Sequence, residues 1–240
     1  MRFIAKLVSL LLIPNMCFGE ITRVQTAKGN VTGGTSCVVT LGSSPTDGNF
    51  IVLGLGKSTS IFPTSVSQTG ATWVQATGIG SGPSNQIWYA ENVSGAGTTI
   101  TVSFTAALSA VCIATEYSGI ALSSSLDQTA TATGTDPDNP ETGTTATTSV
   151  PFELWFGAIS VNSSVTFTSP SNSFSIIDQD PITGLTTTTL ERIVSAVGTA
   201  QTSVSFAIPP LAYSYSGGMA TFKAFRESGV QLMTDVGLGG

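Results

Sequence analysis

The chain repeats one pattern in two places: VSGAGTTITVSFTAALSAVCIATEY at Val93–Tyr117 and VSAVGTAQTSVSFAIPPLAYSYSGGMATFKAF at Val194–Phe225. Each copy opens with Val-Ser, passes a glycine-containing turn and enters a strand that ends in Val-Ser-Phe. A second apolar strand follows in both copies. The pattern predicts an internal repeat whose two halves cover about residues 21–120 and 127–226.

In the sequence around these stretches, apolar residues recur with the two-residue period of a strand. Cys37–Leu41 and Thr99–Thr105 alternate between apolar and polar side chains. Phe50–Leu55 is apolar almost throughout, which is typical of a strand covered on both faces. The turn sequence Pro45–Asn49 precedes that strand. In the second half, Thr144–Ser149 is predicted to correspond to the strand at Cys37.

Short strands at regular spacing, without amphipathic helical stretches, predict an all-β protein. The expected fold is a single jelly-roll-type antiparallel β-sandwich, residues 20–226, built from two repeated halves. Each half offers too few strands to bury both of its faces alone, which favours one sandwich over two domains.

The composition excludes several function classes. Charged residues make up 9% of the 240 residues and the formal net charge is -6, with the few cations scattered. Nucleic-acid binding needs clustered Lys and Arg, so this partner class is excluded. The chain contains no His, which rules out Ser-His-Asp and Cys-His catalytic sites and His-ligated metals.

Residues 1–19 have the layout of a secretory signal, with two cations, a short apolar run at Leu7–Ile13 and cleavage before Glu20. The apolar run is too short to span a bilayer. The chain is therefore predicted to be secreted or surface-exposed and not membrane-spanning after removal of the signal. An uncleaved N-terminal strand or anchor, and a lipoprotein modified at Cys17, are the alternatives.

Two cysteines remain after the signal, Cys37 and Cys112. An exported protein can oxidise such a pair, so a Cys37–Cys112 disulfide is one prediction. Each cysteine also lies in an apolar strand, where a free thiol packs like a small hydrophobic side chain. The tail, residues 227–240, is either a disordered end or a segment that docks on a neighbouring subunit.

Aromatic side chains in strands give the candidate ligand-binding residues. An exposed indole or phenol offers an apolar ring with a polar edge, on which a sugar can stack. Trp73, Trp88, Tyr213 and Tyr215 are the candidates, and core packing is the alternative for each. Trp155 stands between two apolar neighbours and is assigned to the core.

The sequence DPDNPE at 136–141 is a candidate calcium site. Hard cations bind several oxygen ligands from one turn, and Asp136, Asp138, Asn139 and Glu141 supply them. An ordinary solvated turn between the halves is the alternative. No other cofactor is expected.

Carboxylates do not form a catalytic pattern along the chain. Glu116 and Glu153 each stand alone on their strands, whereas glycoside hydrolysis needs a pair. The protein is therefore predicted not to be an enzyme.

Several motifs together resemble a known family. They are Pro45-x-x-Gly48-Asn49 before an apolar strand, then Trp73, Trp88-Tyr89, Glu116–Gly119 and Ala220–Ala224. This order resembles the concanavalin A-like jelly-roll modules of secreted bacterial proteins and phage structural proteins. The resemblance implies a scaffold that binds carbohydrate or builds surface assemblies, and a fold alone does not choose between these roles.

The leading functional prediction is a non-enzymatic, exported β-sandwich that acts as a surface binding or adhesion module, with a glycan or another cell-surface ligand as partner. The alternative is a structural subunit of a virion or extracellular appendage, which predicts self-association. A glycoside-active enzyme comes third.

Overall fold

The computed structural model describes residues 17–79, 82–135, 139–207 and 213–227. Within these ranges the chain forms strands and no helix. In chain order the strands are β1 (Cys17–Phe18), β2 (Thr22–Thr40), β3 (Phe50–Lys57), β4 (Pro63–Ser67), β5 (Val74–Ile79), β6 (Ser84–Ala90), β7 (Thr99–Ser118), β8 (Leu126–Gly134), β9 (Glu153–Val161), β10 (Phe167–Thr168), β11 (Ser175–Ile182), β12 (Leu185–Val194), β13 (Ser205–Phe206), β14 (Tyr215–Lys223) and β15 (Arg226–Glu227).

The strands form two large antiparallel sheets that pack face to face, so the prediction of an all-β sandwich is confirmed. The first sheet has the order β2-β7-β3-β6-β5, with β4 also paired to β7. The second has the order β8-β14-β9-β12-β11. Each half of the chain forms one sheet before the chain enters the other. In a jelly roll, by contrast, the chain is expected to cross between the two sheets repeatedly.

The two sheets place their strands in the same sequential order. In each sheet, the first strand along the chain (β2 or β8) lies at one edge and pairs with the last strand (β7 or β14). The last strand also pairs with the central strand (β3 or β9). A hairpin, β5–β6 or β11–β12, forms the opposite edge. That hairpin carries a β-bulge at the same point in both sheets, between Gln75 and Thr77 in β5 and between Ile176 and Asp178 in β11. Trp88 lies opposite Gln75, and Leu190 lies opposite Ile176.

The interface between the sheets is apolar at one end. Phe50 and Tyr89 from the first sheet meet Phe222 from the second, with ring centroids 4.7 Å and 5.3 Å from Phe222. Leu154 and Phe156 belong to the same cluster. Burial of these rings is the main favourable term that holds the halves together.

The other end of the interface is polar and close-packed. Asn85 Nδ2 donates a hydrogen bond to Ser160 Oγ at 3.0 Å, and Ser160 Oγ lies 3.0 Å from Thr187 Oγ1. A Cβ atom at Gly56 would overlap both of these hydroxyls. A glycine is required there because the backbone of β3 approaches β9 and β12 too closely for a side chain.

Each half also encloses a core of its own, contrary to the expectation that one half has too few strands to do so. The long antiparallel pair β2 and β7 is interrupted by bulges between Val31 and Ser36 and folds back over its own sheet. Gly29 consequently touches the backbone of Val38. Strand alternation is as predicted in this outer part: Cys37 is 0% exposed and Val38 is 43% exposed.

The outer layer of the second half is less regular. Thr144–Ser149 was expected to form a strand, but the segment has one isolated bridge, between Thr147 and Thr199, and single backbone hydrogen bonds from Thr145 and Thr148. The buried residues here are Thr142, Thr145 and Thr148. Their spacing of three does not fit the two-residue period of a strand, which explains the broken pairing.

Of the N-terminal and C-terminal segments, Cys17–Gly19 and Arg226–Glu227 are described, and β1 pairs antiparallel with β15. The rest of the predicted signal and tail, residues 1–16 and 228–240, lies outside the described residues. No helix in the described part is long and apolar enough to cross a membrane.

Candidate functional site

The two predicted tryptophans lie on one face of the first sheet. Trp88, on β6, is opposite Leu53 of β3 and Gln75 of β5. Trp73 immediately precedes β5, and side-chain alternation places it on the same face as Gln75. Both tryptophans are half-buried and pack against the core of the first half, while Gln75 is exposed. We call Trp73, Gln75 and Trp88 the tryptophan face.

A buried glutamine fixes the orientation of Trp88. Trp88 Nε1 donates to Gln86 Oε1 at 3.0 Å, and Gln86 is fully buried on the same strand. In the described part of the chain, Gln86 Nε2 and Trp73 Nε1 have no hydrogen-bond partner. Because the pyrrole edge of Trp88 is engaged inside the protein, the exposed part of this side chain is ring surface. An oriented indole beside an exposed amide can stack on a sugar ring and bind its hydroxyl groups.

The equivalent positions of the second half are filled differently. Leu190 stands where Trp88 stands, Ile176 where Gln75 stands, and Phe174 precedes β11 as Trp73 precedes β5. We call Phe174, Ile176 and Leu190 the counterpart face. Phe174 and Leu190 are buried in the core of the second half, and Ile176 is half-buried against it. Phe174 stacks on Trp155, with ring centroids 6.4 Å apart, so the assignment of Trp155 to the core is correct.

Tyr213 and Tyr215, the other two candidate ligand-binding residues, are buried in the core. They are 4% and 7% exposed and lie in the core of the second half. Tyr213 packs edge-on against Phe206, at 4.6 Å between ring centroids. Tyr213 lies two residues before β14, and Tyr215 is the first residue of that strand. Both are covered by the outer layer of the second half, which includes Phe206. The four aromatic candidates are thus divided between an open face and a core.

Cys37 and Cys112 are joined by a disulfide, with their Cα atoms 6.5 Å apart. Cys37 lies in the folded-back part of β2, and Cys112 lies in the part of β7 that pairs with β3. The bond therefore ties the outer layer of the first half to the sheet that carries the tryptophan face.

The candidate calcium loop is described only in part, because Asp136 and Asp138 lie outside the described residues. Asn139 is exposed, and Glu141 Oε2 accepts a hydrogen bond from Gln201 Nε2 at 3.0 Å. Among the described residues, no group of three or more His, Cys, Asp or Glu side chains is placed to hold a metal ion. Calcium binding here stays a prediction.

Glu116 has a structural role. Its fully buried carboxylate accepts hydrogen bonds from Thr46 N at 2.9 Å, Asn49 Nδ2 at 2.6 Å and Gln25 Nε2 at 2.6 Å. These bonds anchor the turn before β3 to β2 and β7. The carboxylate is fully engaged inside the protein.

The sequence suggested that Glu153 stands alone, but in the structure it pairs with Asp127. Burial raises the pKa of Glu153 to about 8, and the hydrogen bond to Asp127 and the charge of Asp127 act in the same direction. Burial also acts to raise the pKa of Asp127, but hydrogen bonds from the hydroxyl and N–H of Ser149, both at 2.6 Å, lower it. Near neutral pH, Glu153 is therefore protonated and donates to an ionised Asp127. The two acids lie on β8 and β9, which meet only through β14, so no short-range pattern predicts the pair.

Lys57 is a second buried titratable group. Its side chain is fully buried at the end of β3, and its Nζ lies 5.0 Å from the centroid of the Phe62 ring. Burial lowers the pKa of this amine to about 8. Within the described ranges its Nζ has no hydrogen-bond partner. The aromatic contact partly offsets the loss of solvation.

No family model, curated protein or solved structure matches this chain. The resemblance to concanavalin A-like modules accordingly stays a prediction, and the class of protein is defined by the fold, an all-β antiparallel sandwich.

Proposed function

We propose that this chain is an exported, non-enzymatic β-sandwich that binds carbohydrate through the tryptophan face. The observation that supports it best is the contrast between equivalent positions of the two sheets. The second half buries Phe174 and Leu190 in its core and packs a half-buried Ile176 against it, as packing alone favours. The first half leaves two indoles half-exposed beside an exposed amide.

The shared strand order and the shared bulge support descent of the halves from one duplicated unit. Bulges are specific features that accompany a particular strand geometry, so their coincidence in two sheets favours copying over chance. After a duplication, one copy can keep a packed outer face while the other acquires a binding surface.

The acid pair does not favour the enzyme alternative. Asp127 and Glu153 are in hydrogen-bond contact, and Glu153 is fully buried. Glycosidases hold their two carboxyl groups about 5 Å apart or more, with the sugar between them. The fully buried carboxyl group of Glu153 is closed to a substrate, so the pair is better explained as a structural, proton-sharing contact.

Binding is tested with the protein that starts at Glu20, on a glycan array and then by calorimetry with the best ligand. Trp88→Ala and Trp73→Ala should each weaken binding about tenfold, because each removes a stacking ring. Phe62→Ala is the matched control, since Phe62 is an exposed aromatic of the same half that lies over Lys57. Absence of any glycan ligand, or equal affinity of the tryptophan variants and the parent, would contradict the proposal.

A structural subunit of an assembly is the second candidate. The observation that favours it is an apolar cleft of about 490 Å³ at one end of the sandwich, lined by Ile21, Phe152, Ile193 and Ala224 among others. Phe152 is 36% and Ile193 is 49% exposed. Exposed apolar side chains around a cleft are typical of a contact surface between proteins.

A further inference from the structure

Two buried hydrogen-bond donors lie on the side of the first sheet that carries the tryptophan face. They are Gln86 Nε2 and Lys57 Nζ, and neither has a hydrogen-bond partner within the described part of the chain. Both side chains are fully buried. Lys57 of β3 lies opposite Ser84 of β6, two residues before Gln86 on the same strand. Lys57 and Gln86 are therefore diagonal neighbours on one face, at a spacing of about 7–8 Å that long side chains can span.

The exposed side chain of Gln75 connects these buried donors to the tryptophan face. A Cβ atom at Gly78 would lie 2.7 Å from Gln75 Nε2 and 2.8 Å from Gln86 Cγ. Because Gly78 has no side chain, the Gln75 amide can lie over the backbone of β5 and beside Gln86. Gln75 is exposed, so its side chain can move without loss of core packing. A ligand group that replaces the Gln75 amide above Gly78 would meet Gln86 directly.

Lys57 is a buried cation without a counter-ion among the described residues. Burial alone lowers the pKa of its amine to about 8, with no contribution from a carboxylate. The amine is therefore mainly protonated at neutral pH. Its described contact is the ring of Phe62, whose centroid lies 5.0 Å from Nζ. An unpaired buried ammonium group is costly, and an anion that accepts its hydrogen bonds reduces that cost.

We propose that the tryptophan face binds an acidic sugar, whose carboxylate or sulfate group accepts hydrogen bonds from Gln86 Nε2 and Lys57 Nζ while its ring stacks on Trp88. Gln86 Oε1 already accepts from Trp88 Nε1 at 3.0 Å, so the N–H group of this amide is what remains for a ligand. An amide N–H and an ammonium group only donate, which matches a ligand group that only accepts. The inference deepens the proposed function and rests on it.

The first test uses an array on which each acidic glycan stands beside its uncharged counterpart. The probes are oligosaccharides of galacturonic acid with their methyl esters, and sulfated galactose oligosaccharides with their unsulfated forms. At least one acidic form should bind about tenfold or more tightly than its counterpart, because hydrogen bonds to a charged group are strong. Comparison of the two series identifies the acid group. Binding of uncharged forms as tightly as acidic ones would overturn the inference.

The second test removes the charge without removing the indoles. Lys57→Met keeps the length of the side chain, and loss of an unpaired buried charge should leave the fold intact. Affinity for the best acidic probe should fall at least about tenfold, whereas affinity for its uncharged counterpart should stay as in the parent. Lys28→Met is the matched control, since Lys28 is an exposed lysine of the same half that pairs with Asp178 at 2.8 Å. Equal weakening by both variants would show that only net charge matters, which contradicts the proposal.

A third variant tests the same geometry from the side of β6. Gln86→Glu keeps an acceptor for Trp88 Nε1 but places an anion beside Lys57, so the preference for acidic probes should be lost. A folded Gln86→Glu protein with the preference of the parent would overturn the inference. The two proposals fail differently. If no glycan binds, carbohydrate binding itself is wrong, whereas tryptophan-dependent binding without a preference for acid overturns only the assignment of Lys57 and Gln86.

Discussion

The tryptophan face and the counterpart face occupy the same place in two sheets of the same strand order, yet the first is more open to solvent than the second. Trp88 and Leu190 each stand on the penultimate strand of the sheet, opposite the bulged edge strand. Leu190 is fully buried, whereas Trp88 keeps part of its ring exposed. The difference shows that position in a sheet does not fix the use of a side chain, because the layer packed above it decides how much remains exposed.

The substitution with the largest expected effect on stability tests whether Leu190 of the counterpart face is a core residue. Leu190→Ala should lower the free energy of unfolding by about 2–5 kcal/mol, through lost burial and a residual cavity. Trp88→Ala should cost less although it removes a larger side chain, because that ring is half-exposed. Urea unfolding followed by circular dichroism measures both. A greater loss for Trp88→Ala would make the tryptophan face a core surface.

The disulfide between Cys37 and Cys112 secures the layer beside the tryptophan face, and the second half has no disulfide among its described residues. Replacing Cys37 and Cys112 with Ser should lower the free energy of unfolding by about 2–4 kcal/mol, since the bond restricts the unfolded chain. Thiol titration of the unfolded parent, with and without reductant, is the control. Equal thiol counts in the two samples would show that the bond is absent.

A pH dependence is expected from the acid pair of the second half. The folded-state pKa of Glu153, about 8, exceeds the value of about 4.3 for an unfolded glutamate. The folded state therefore binds the extra proton between these values, and stability should fall as pH rises from about 4 to about 8, by on the order of 1–3 kcal/mol.

Glu153→Gln should flatten this pH profile, because an amide keeps the donor and does not titrate. Thermal unfolding between pH 5 and 8, a range inside the window set by these two pKa values, measures the slope. Glu141→Gln, which changes a carboxylate of the same half outside the pair, should leave the slope as in the parent. A parent protein that becomes more stable from pH 5 to 8 would contradict the protonated state of Glu153.

The smallest effect on stability separates binding from folding. Gln75→Ile gives the tryptophan face the residue that the counterpart face has at Ile176. Gln75 is exposed, so the free energy of unfolding should change by no more than about 0.5 kcal/mol. Glycan affinity should fall, because the exposed amide is lost. Unchanged affinity would restrict the site to the two indoles.

Local patterns predicted the strands well and failed where distant strands meet. The alternation at Cys37–Leu41 and the continuous apolar run at Phe50–Leu55 were both correct, since each depends on a few neighbouring residues. Thr144–Ser149 was assigned by analogy with the first half, and the spacing of its buried threonines shows why it pairs so little.

The alignment of the two halves also has a limit that sequence does not reveal. Ala114 and Ala220 stand at matching places in the similar runs ATEY and ATFK. Ala114 faces the core of the first half, whereas Ala220 faces the interface between the sheets. A displacement of one residue moves a side chain to the opposite face of a strand. The similar sequences therefore both form strands, but their matching side chains point to different faces.

Alternation, turn residues and the absence of helical patterns predicted the all-β class and its strands, because each of these signals depends on only a few neighbouring residues. Only the tertiary structure decided that Tyr213 and Tyr215 are core and that Trp73 and Trp88 are half-open. It alone placed Asp127 beside Glu153 and brought Cys37 to Cys112. The physical reason is the same in each case: these contacts depend on which strands become neighbours and on which face a layer covers, and both are set by packing between residues far apart in the chain.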